Sequence, residues 1–553
     1  MSFFDRFAGL WLRHRRALVF CGTFILLSLN LWSNEIVRLD VRFALMVQEM
    51  AVRPVGCFPT INGQPYCDYL SAMPFFSYLV SGGGRWLNYF TLALPTLLFS
   101  AYIALKVFDI GEALRRNAGW LAVMMLLFCY EYVNLTRTLS LDIAVAAAAA
   151  AIAGELLASR GGGRPRHWLI AVWLIFAFAV RGPMGIFMTG GVLGGILAAK
   201  AEWKMLICWA VGGAAVAASC AAALFGWIMH TGGRELLDWA WEWQVASRFS
   251  ENKSHIYYFT DAVGSYAPLY PLALAVFALS WRQIFTGGTG RTAVFLRAFM
   301  LWYLLPTLAV SIPGCMHLRY IAPALPAMAL AAGYGMAVIA GLPGGATLKR
   351  VLEILARFAV PAICAAVAAA GVVWAVWFGQ GAAALTAAAA AVFLFWLWRR
   401  INCSGEAAWL KTVSGLGVGM ALLTAGILSP LDSIIAGSRD FVKKCEVRRS
   451  GGIWFLNIGV DHDDLKYVIG AAPEKRAGIH YLMDKPLPDK LAKMYPVGGG
   501  IEQLAVLPPD SLVLVRRDKC VNILESPYAV GWSELATGLL GRREFVLLSR
   551  SAK

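Results

Sequence analysis

Charge is scarce in this chain. Only 15% of its 553 residues are Asp, Glu, Lys or Arg, against roughly 25% in an ordinary soluble domain, and the shortage argues against a soluble globular protein. Acidic residues are the scarcer kind: 33 Asp and Glu stand against 49 Lys and Arg, a net charge of +16. Histidine is down to seven, and spacing alone gathers no metal cluster from them. The first apolar run follows a basic segment but lacks a small-x-small cleavage site, which predicts a retained anchor and not a removed signal peptide. The single internal helix break, at Arg181-Gly182-Pro183, has no second copy, which weakens a transporter built from two matching halves.

What the chain has in excess is apolar side chains, 59% of the total, for a mean hydropathy of +0.62. They are bunched into runs of about 20 residues, long enough at about 1.5 Å per residue to cross a hydrocarbon core of roughly 30 Å. The predicted spans are 17–33, 87–106, 118–135, 141–158, 167–180, 184–199, 205–229, 266–281, 296–312, 321–341, 354–378, 381–398 and 412–431. That is thirteen helices. Arg13, Arg15 and Arg16, Arg115 and Arg116, Arg160, Arg164 and Arg166, Arg282, Arg291 and Arg297, Lys349 and Arg350, and Arg399 and Arg400 fall before the first run and in every second connection after it. This is positive-inside topology, with basic ends against membrane lipids and no nucleic-acid footprint. The N-terminus is then cytoplasmic and the C-terminus periplasmic.

The expected fold is an all-α polytopic membrane domain over 1–431, with outer loops 34–86 and 230–265, followed by a periplasmic α/β domain over 432–553. Short β-like runs at Ile453–Val460, Leu512–Val515 and Phe545–Leu548 support the second part. Cysteine usage fits an oxidising outer compartment: Cys57 with Cys67 in the first outer loop, and Cys445 with Cys520 in the tail, are expected as disulfides. Cys315 and Cys403 lie on opposite sides and are left unpaired. The five cysteines within spans read as small buried hydrophobes.

The first outer loop carries Glu35, then Leu39-Asp40-Val41-Arg42-Phe43-Ala44 and Glu49-Met50, more charge than an interfacial helix needs for packing. It continues Pro59-Thr60-Ile61-Asn62-Gly63-Gln64-Pro65-Tyr66-Cys67-Asp68-Tyr69, with a hairpin signal at Asn62-Gly63. Downstream stand Thr136-Arg137-Thr138-Leu139-Ser140-Leu141-Asp142, the Arg181-Gly182-Pro183 step, Arg248-Phe249 with His255 and Tyr257-Tyr258, and Arg319-Tyr320-Ile321-Ala322-Pro323. This ordered set resembles the aminoarabinose transferase and protein O-mannosyltransferase-like families, type C glycosyltransferases that use polyprenyl-phosphate sugars. Two departures mark a divergent relative: the family's Asp-Glu is Leu39-Asp40 here, and its Glu-Lys-Pro-Pro is Asp68-Tyr69-Leu70-Ser71, which removes a lysine expected at the donor phosphate.

The resemblance implies a transferase that moves a sugar, with inversion, from a polyprenyl-phosphate donor to an envelope glycolipid, glycan or protein. Asp40 is then the first choice for general base and Asp68 the second. Arg248 and Arg319 would clamp the phosphate in fork geometry, with Tyr69 or Tyr320 adding a hydroxyl. Arg42, Glu49, Asp142, His255 and Tyr258 are supporting residues, Asp142 with a structural pairing to Arg137 as its alternative. The resemblance implies no required cofactor; His255 and His317 are weak candidates for a divalent metal. The rival readings are a lipid or solute transporter or flippase, and an envelope scaffold acting through its tail. Transport calls for charges near the bilayer midplane, and only Glu131 and Glu155, near helix ends, come close.

Overall fold

The computed structural model describes residues 3–32, 34–36, 40–158, 164–249, 254, 256–313, 316–339, 345–379, 381–401, 406–428, 431, 438–449, 452–458, 467–468, 479–484 and 497–550. Leu39, His255, Cys315, Cys403 and His462 lie outside the described residues. The chain divides into two compact units: Met1–Leu31 with Cys67–Met73 and Ala93–Leu428, and Trp32–Tyr66 with Pro74–Leu92 and Ser429–Lys553.

The first unit is helical. Among the described residues, six helices can cross a membrane by length and composition, or up to eight if each of two sharply bent pairs is one span. This is the makeup of a multi-pass membrane protein, with fewer long spans than the thirteen expected. Much of the difference lies in short helices. His167–Arg181 and Pro183–Ala199 have 15 and 17 residues, and Ala118–Phe128 and Tyr130–Thr136 meet at 80°. Tyr257–Ser265 and Leu269–Leu279 meet at 117°, a broken span or re-entrant loop where the sequence suggests a plain outer loop followed by a helix.

Small residues let these helices approach closely, the usual solution where lipid removes the hydrophobic drive between helices. Helix Ala118–Phe128 lies between two others through glycines: a Cβ on Gly333 would sit 2.5 Å from the Ala122 nitrogen, and one on Gly417 would sit 2.5 Å from the Met124 carbonyl. At the end of the first helix, Arg137 donates to the carbonyls of Leu27 at 2.6 Å and Leu29 at 2.8 Å. Helix C-termini leave such acceptors unsatisfied, and a buried guanidinium fills them. The structural pairing of Arg137 with Asp142 is therefore replaced: Arg137 caps the first helix, and Asp142 has other partners.

In the second unit, helix Asp40–Met50 is followed by a short hairpin, β1 (Thr60–Ile61) and β2 (Gln64–Pro65). Its turn is Asn62-Gly63, both at positive φ, as the sequence signal requires. The tail forms a five-stranded sheet of β3 (Ile453–Leu456), β4 (Ile479–Leu482), β5 (Leu512–Arg516), β6 (Trp532–Leu540) and β7 (Arg543–Arg550) in the order β4-β3-β5-β7-β6. β3 pairs in parallel with β4 and β5, and β7 pairs antiparallel with β5 and β6. The three β-like runs of the sequence thus fall on β3, β5 and β7. By contacts, most of the first outer loop groups with the tail, while its segment Cys67–Met73 groups with the helical unit. The Glu35 carboxylate accepts from the Ser438 hydroxyl at 2.9 Å and its amide at 3.2 Å, and the Tyr481 hydroxyl donates to Asn62 Oδ1 at 3.4 Å.

The expected Cys445 to Cys520 disulfide is absent, both being free, buried thiols. The sheet separates them. Cys520 packs with Leu456, Val513, Val515, Val546 and Leu548 on one face, whereas Phe455 points to the other face by strand alternation. There Phe455 meets the Tyr467 ring edge-on, and the Tyr467 hydroxyl donates to Glu446, the neighbour of Cys445. Burial, with Glu446 adding, pushes the Cys445 thiol up to about 12; burial and Glu534 push Cys520 up to about 11.

Candidate active site

A cavity of about 330 Å³ opens in the helical unit. It forms where two breaks in helical structure come together. Gly182 links helices His167–Arg181 and Pro183–Ala199 at φ 61° and ψ −149°, a conformation open to glycine. It leaves Arg181 as the last residue of one helix and Pro183 as the first of the next. Across from it, the long helix Trp203–Trp241 passes into a π-helical turn, Glu242–Ala246, that brings Gln244, Val245 and Arg248 to the cavity. The segment Asp68, Tyr69 and Leu70 supplies another wall, tied down where Gln244 Nε2 donates to the Cys67 carbonyl at 2.6 Å.

Three guanidiniums and two carboxylates meet in and beside this cavity. Arg248 forms an ion pair with Asp68 and donates from Nη1 to the Tyr320 hydroxyl at 3.3 Å. Arg181, whose side chain is only 9% exposed, lies 3.3 Å from Asp142 Oδ1, and Arg319 Nε lies 3.6 Å from Asp142 Oδ2. Asp142 stands in the first turn of helix Leu141–Leu157, where Ser140 caps the helix by accepting from the Ile143 amide at 3.3 Å. The helix N-terminus adds a favourable field for its negative charge.

Two tyrosines hold the cations in place. The Arg181 guanidinium lies 4.7 Å from the Tyr320 ring centroid and 5.7 Å from that of Tyr69, and Arg319 lies 5.6 Å from the Tyr320 ring. Cation–π contacts of this kind gain strength as water is excluded. Burial, reinforced by Asp68, raises the Tyr69 hydroxyl well above its ordinary value, so Tyr69 stays a hydrogen-bond donor at neutral pH. The rest of the lining is apolar, and Phe187, Phe249 and Ile312 line it while remaining largely exposed.

Of the residues expected from the sequence, Asp68, Tyr69, Arg248, Arg319, Tyr320 and Asp142 come together here. Tyr258 is fully buried at the start of helix Tyr257–Ser265, its hydroxyl without a hydrogen-bond partner among the described residues. The His317 ring meets Tyr320 edge-on at 5.2 Å. Among the described residues no group of three or more His, Cys, Asp or Glu is placed to hold a metal ion.

Asp40, Arg42 and Glu49 belong to the other unit. Asp40 is 2% exposed, and its Oδ2 accepts from the Tyr89 hydroxyl at 3.1 Å. Arg42 donates to the Tyr66 hydroxyl, and Glu49 accepts from the Gly63 amide at 3.0 Å, pinning the hairpin turn.

Sequence reasoning missed two residues. Arg181 was visible as part of a helix-breaking step and of the motif set, with no site role assigned, although a cation between two apolar runs is itself a signal. Gln244 carried no signal, because its place depends on the π-helical turn.

The fold and cavity define a class: a multi-pass membrane protein with a cationic, aromatic-lined site suited to an anionic head group. The fold is similar to that of ArnT from Cupriavidus metallidurans, solved bound to undecaprenyl phosphate, at 16% identity over 97% of this chain and 98% of that one, with a TM-score of 0.66. The apo state of the same protein matches at 16% identity over 99% and 98% of the two chains, with a TM-score of 0.67. This fold agrees with the one that the family resemblance read from the motifs implies. No protein-family model and no curated protein matches the sequence.

Proposed function

We propose that this chain is a polyprenyl-phosphate-dependent glycosyltransferase acting at the periplasmic face of a bacterial inner membrane. The observation that carries this reading is the charge cluster in and beside the cavity, where Arg181, Arg248 and Arg319 pair with Asp68 and Asp142. Three cations against two anions leave one positive charge, which a singly charged phosphodiester donor neutralises. ArnT bound to undecaprenyl phosphate supports a polyprenyl-phosphate ligand for the same fold.

A polyprenyl phosphate leaves from the sugar only as fast as its developing charge is stabilised, and prearranged guanidiniums in a water-poor cavity supply that stabilisation. Arg248 and Arg319 are the phosphate clamp that the resemblance implies, with Arg181, which lines the cavity beside Arg248, as a third cation. Tyr320 and Tyr69 position the cations and offer hydroxyls. The sugar is attacked from the face opposite the phosphate, which inverts its configuration, and the family resemblance assigns the acceptor's proton to Asp40 as general base. The apolar lining suits the isoprenoid chain. The acceptor is an envelope glycolipid, glycan or protein.

The test is to incubate purified protein with a panel of polyprenyl-phosphate sugars and measure release of free polyprenyl phosphate. Asp40→Asn, Arg248→Ala and Arg319→Ala are expected to lower release by at least about 100-fold each, the scale of losing a general base or a charge-stabilising donor. Full activity in all three sinks the site assignment. Absence of release from every donor moves the reading to a lipid transporter or flippase. Dialysis against a chelator is expected to leave turnover unchanged, and its loss with rescue by a divalent ion would overturn the cofactor-free reading.

A further inference from the structure

The ion pair between Asp68 and Arg248 raises a question that the proposed reaction leaves open. A guanidinium meant for phosphate is already occupied by a carboxylate of the chain itself. Both side chains line the cavity and both keep some solvent access, 15% for Asp68 and 20% for Arg248. The pair is therefore neither a deeply buried structural bridge, as Asp142 with Arg181 is, nor a surface pair.

We infer that Asp68 is a displaceable stand-in for the donor phosphate: it occupies Arg248 in the empty site and yields the guanidinium to the phosphate when polyprenyl phosphate binds. This rests on the proposed function and assigns Asp68 a binding role in place of its second-choice role as base. The physical argument has two sides. An unpaired guanidinium in an apolar cavity is costly, and a carboxylate partner removes that cost while the site waits. Once displaced, the same carboxylate stays beside the phosphate, and like charges at short range in a poorly solvated cavity repel. The stand-in thus keeps Arg248 aligned through its second contact, the Tyr320 hydroxyl, while holding the affinity for phosphate down. A product still bearing its phosphate can then leave.

No such exchange is available at Asp142, where one carboxylate, itself 2% exposed, serves Arg181 and Arg319 together. The expectation is opposite for the two acids. Removing the charge of Asp68 strengthens phosphate binding, whereas removing the charge of Asp142 weakens it by disordering two cations.

The experiment measures the affinity of the full-length, detergent-purified protein for undecaprenyl phosphate. Asp68→Asn keeps an oxygen acceptor for Arg248 and removes the charge, and it is expected to bind about tenfold tighter than wild type, the scale of a close charge coupling. Asp68→Ala serves as the second variant, Arg248→Ala is expected to bind at least about tenfold weaker, and Asp142→Asn is expected to bind more weakly than wild type. A merely structural role for Asp68 cannot raise affinity, so a gain in either Asp68 variant supports the exchange. Equal or weaker binding in both, with wild type still binding, overturns it. Failure of wild type to bind undecaprenyl phosphate would instead strike the proposed function, so the two failures are distinguishable.

Discussion

At the scale of single residues, the buried charges in the helical unit divide by what surrounds them. Arg137, 3% exposed, spends its guanidinium on two helix-end carbonyls. Arg137→Ala would leave both without a donor, at a cost of about 2 to 4 kcal/mol, read as a lower thermal midpoint in detergent. Asp142 is the hub of two arginines, and Asp142→Ala would strand buried cations at about 3 to 5 kcal/mol as well as weaken ligand binding. Arg137 and Asp142 are five residues apart in one motif, and their separate partners come from segments far away in the chain. The thiols of the tail follow the same logic of burial. With Cys445 pushed up to about 12 and Cys520 to about 11 from the ordinary thiol value of 9.0, both stay protonated at pH 8, where the nucleophilic thiolate is absent. Alkylation at pH 8 is expected to be slow until the tail is unfolded. Because the folded values are raised, the stability these thiols contribute is complete below pH 9.0 and falls as the pH rises toward 11 and 12. Rapid labelling of the native protein would contradict the burial.

At the scale of elements, breaks in helices matter more than the helices. Apolar periodicity located the helices flanking Arg181-Gly182-Pro183, and proline and glycine chemistry located the break. Which side chains the break delivers depends on the positive φ at Gly182 and on the π-helical turn Glu242–Ala246, neither of which has a periodic signature. The bent pair Tyr257–Ser265 and Leu269–Leu279 was read as a loop and a helix because its first arm is too short to register as a span. Helix packing makes its own prediction. Gly333→Val places side-chain atoms inside the 2.5 Å that separates a Cβ from the Ala122 backbone nitrogen. Backbone cannot yield as a flexible side chain can, so the cost is at the upper end of the usual 1 to 3 kcal/mol for overpacking, about 3. It would appear as a lower yield of monodisperse protein; an unaffected yield and thermal midpoint would show that the two helices can separate without loss.

At the scale of the whole molecule, the sequence by itself determined that this is a multi-pass membrane protein with a sheet-forming tail. Both follow from local composition: runs of about 20 apolar residues are set by bilayer thickness, and short apolar runs between turn residues read as strands. The motif resemblance also reached the fold. The proposed orientation has a direct check: a reporter active only outside the cytoplasm, fused after Lys553, is expected to be active, and a cytoplasm-only reporter there inactive. Tertiary structure alone decided that most of the first outer loop clusters with the tail, that Cys445 and Cys520 stand on opposite faces of a sheet, and that Arg181 joins Arg248 and Arg319 around two carboxylates. The reason is physical: hydropathy and turn chemistry act between near neighbours in the chain, while a charge in a poorly solvated cavity is satisfied by whichever partner the packing brings within a few ångströms.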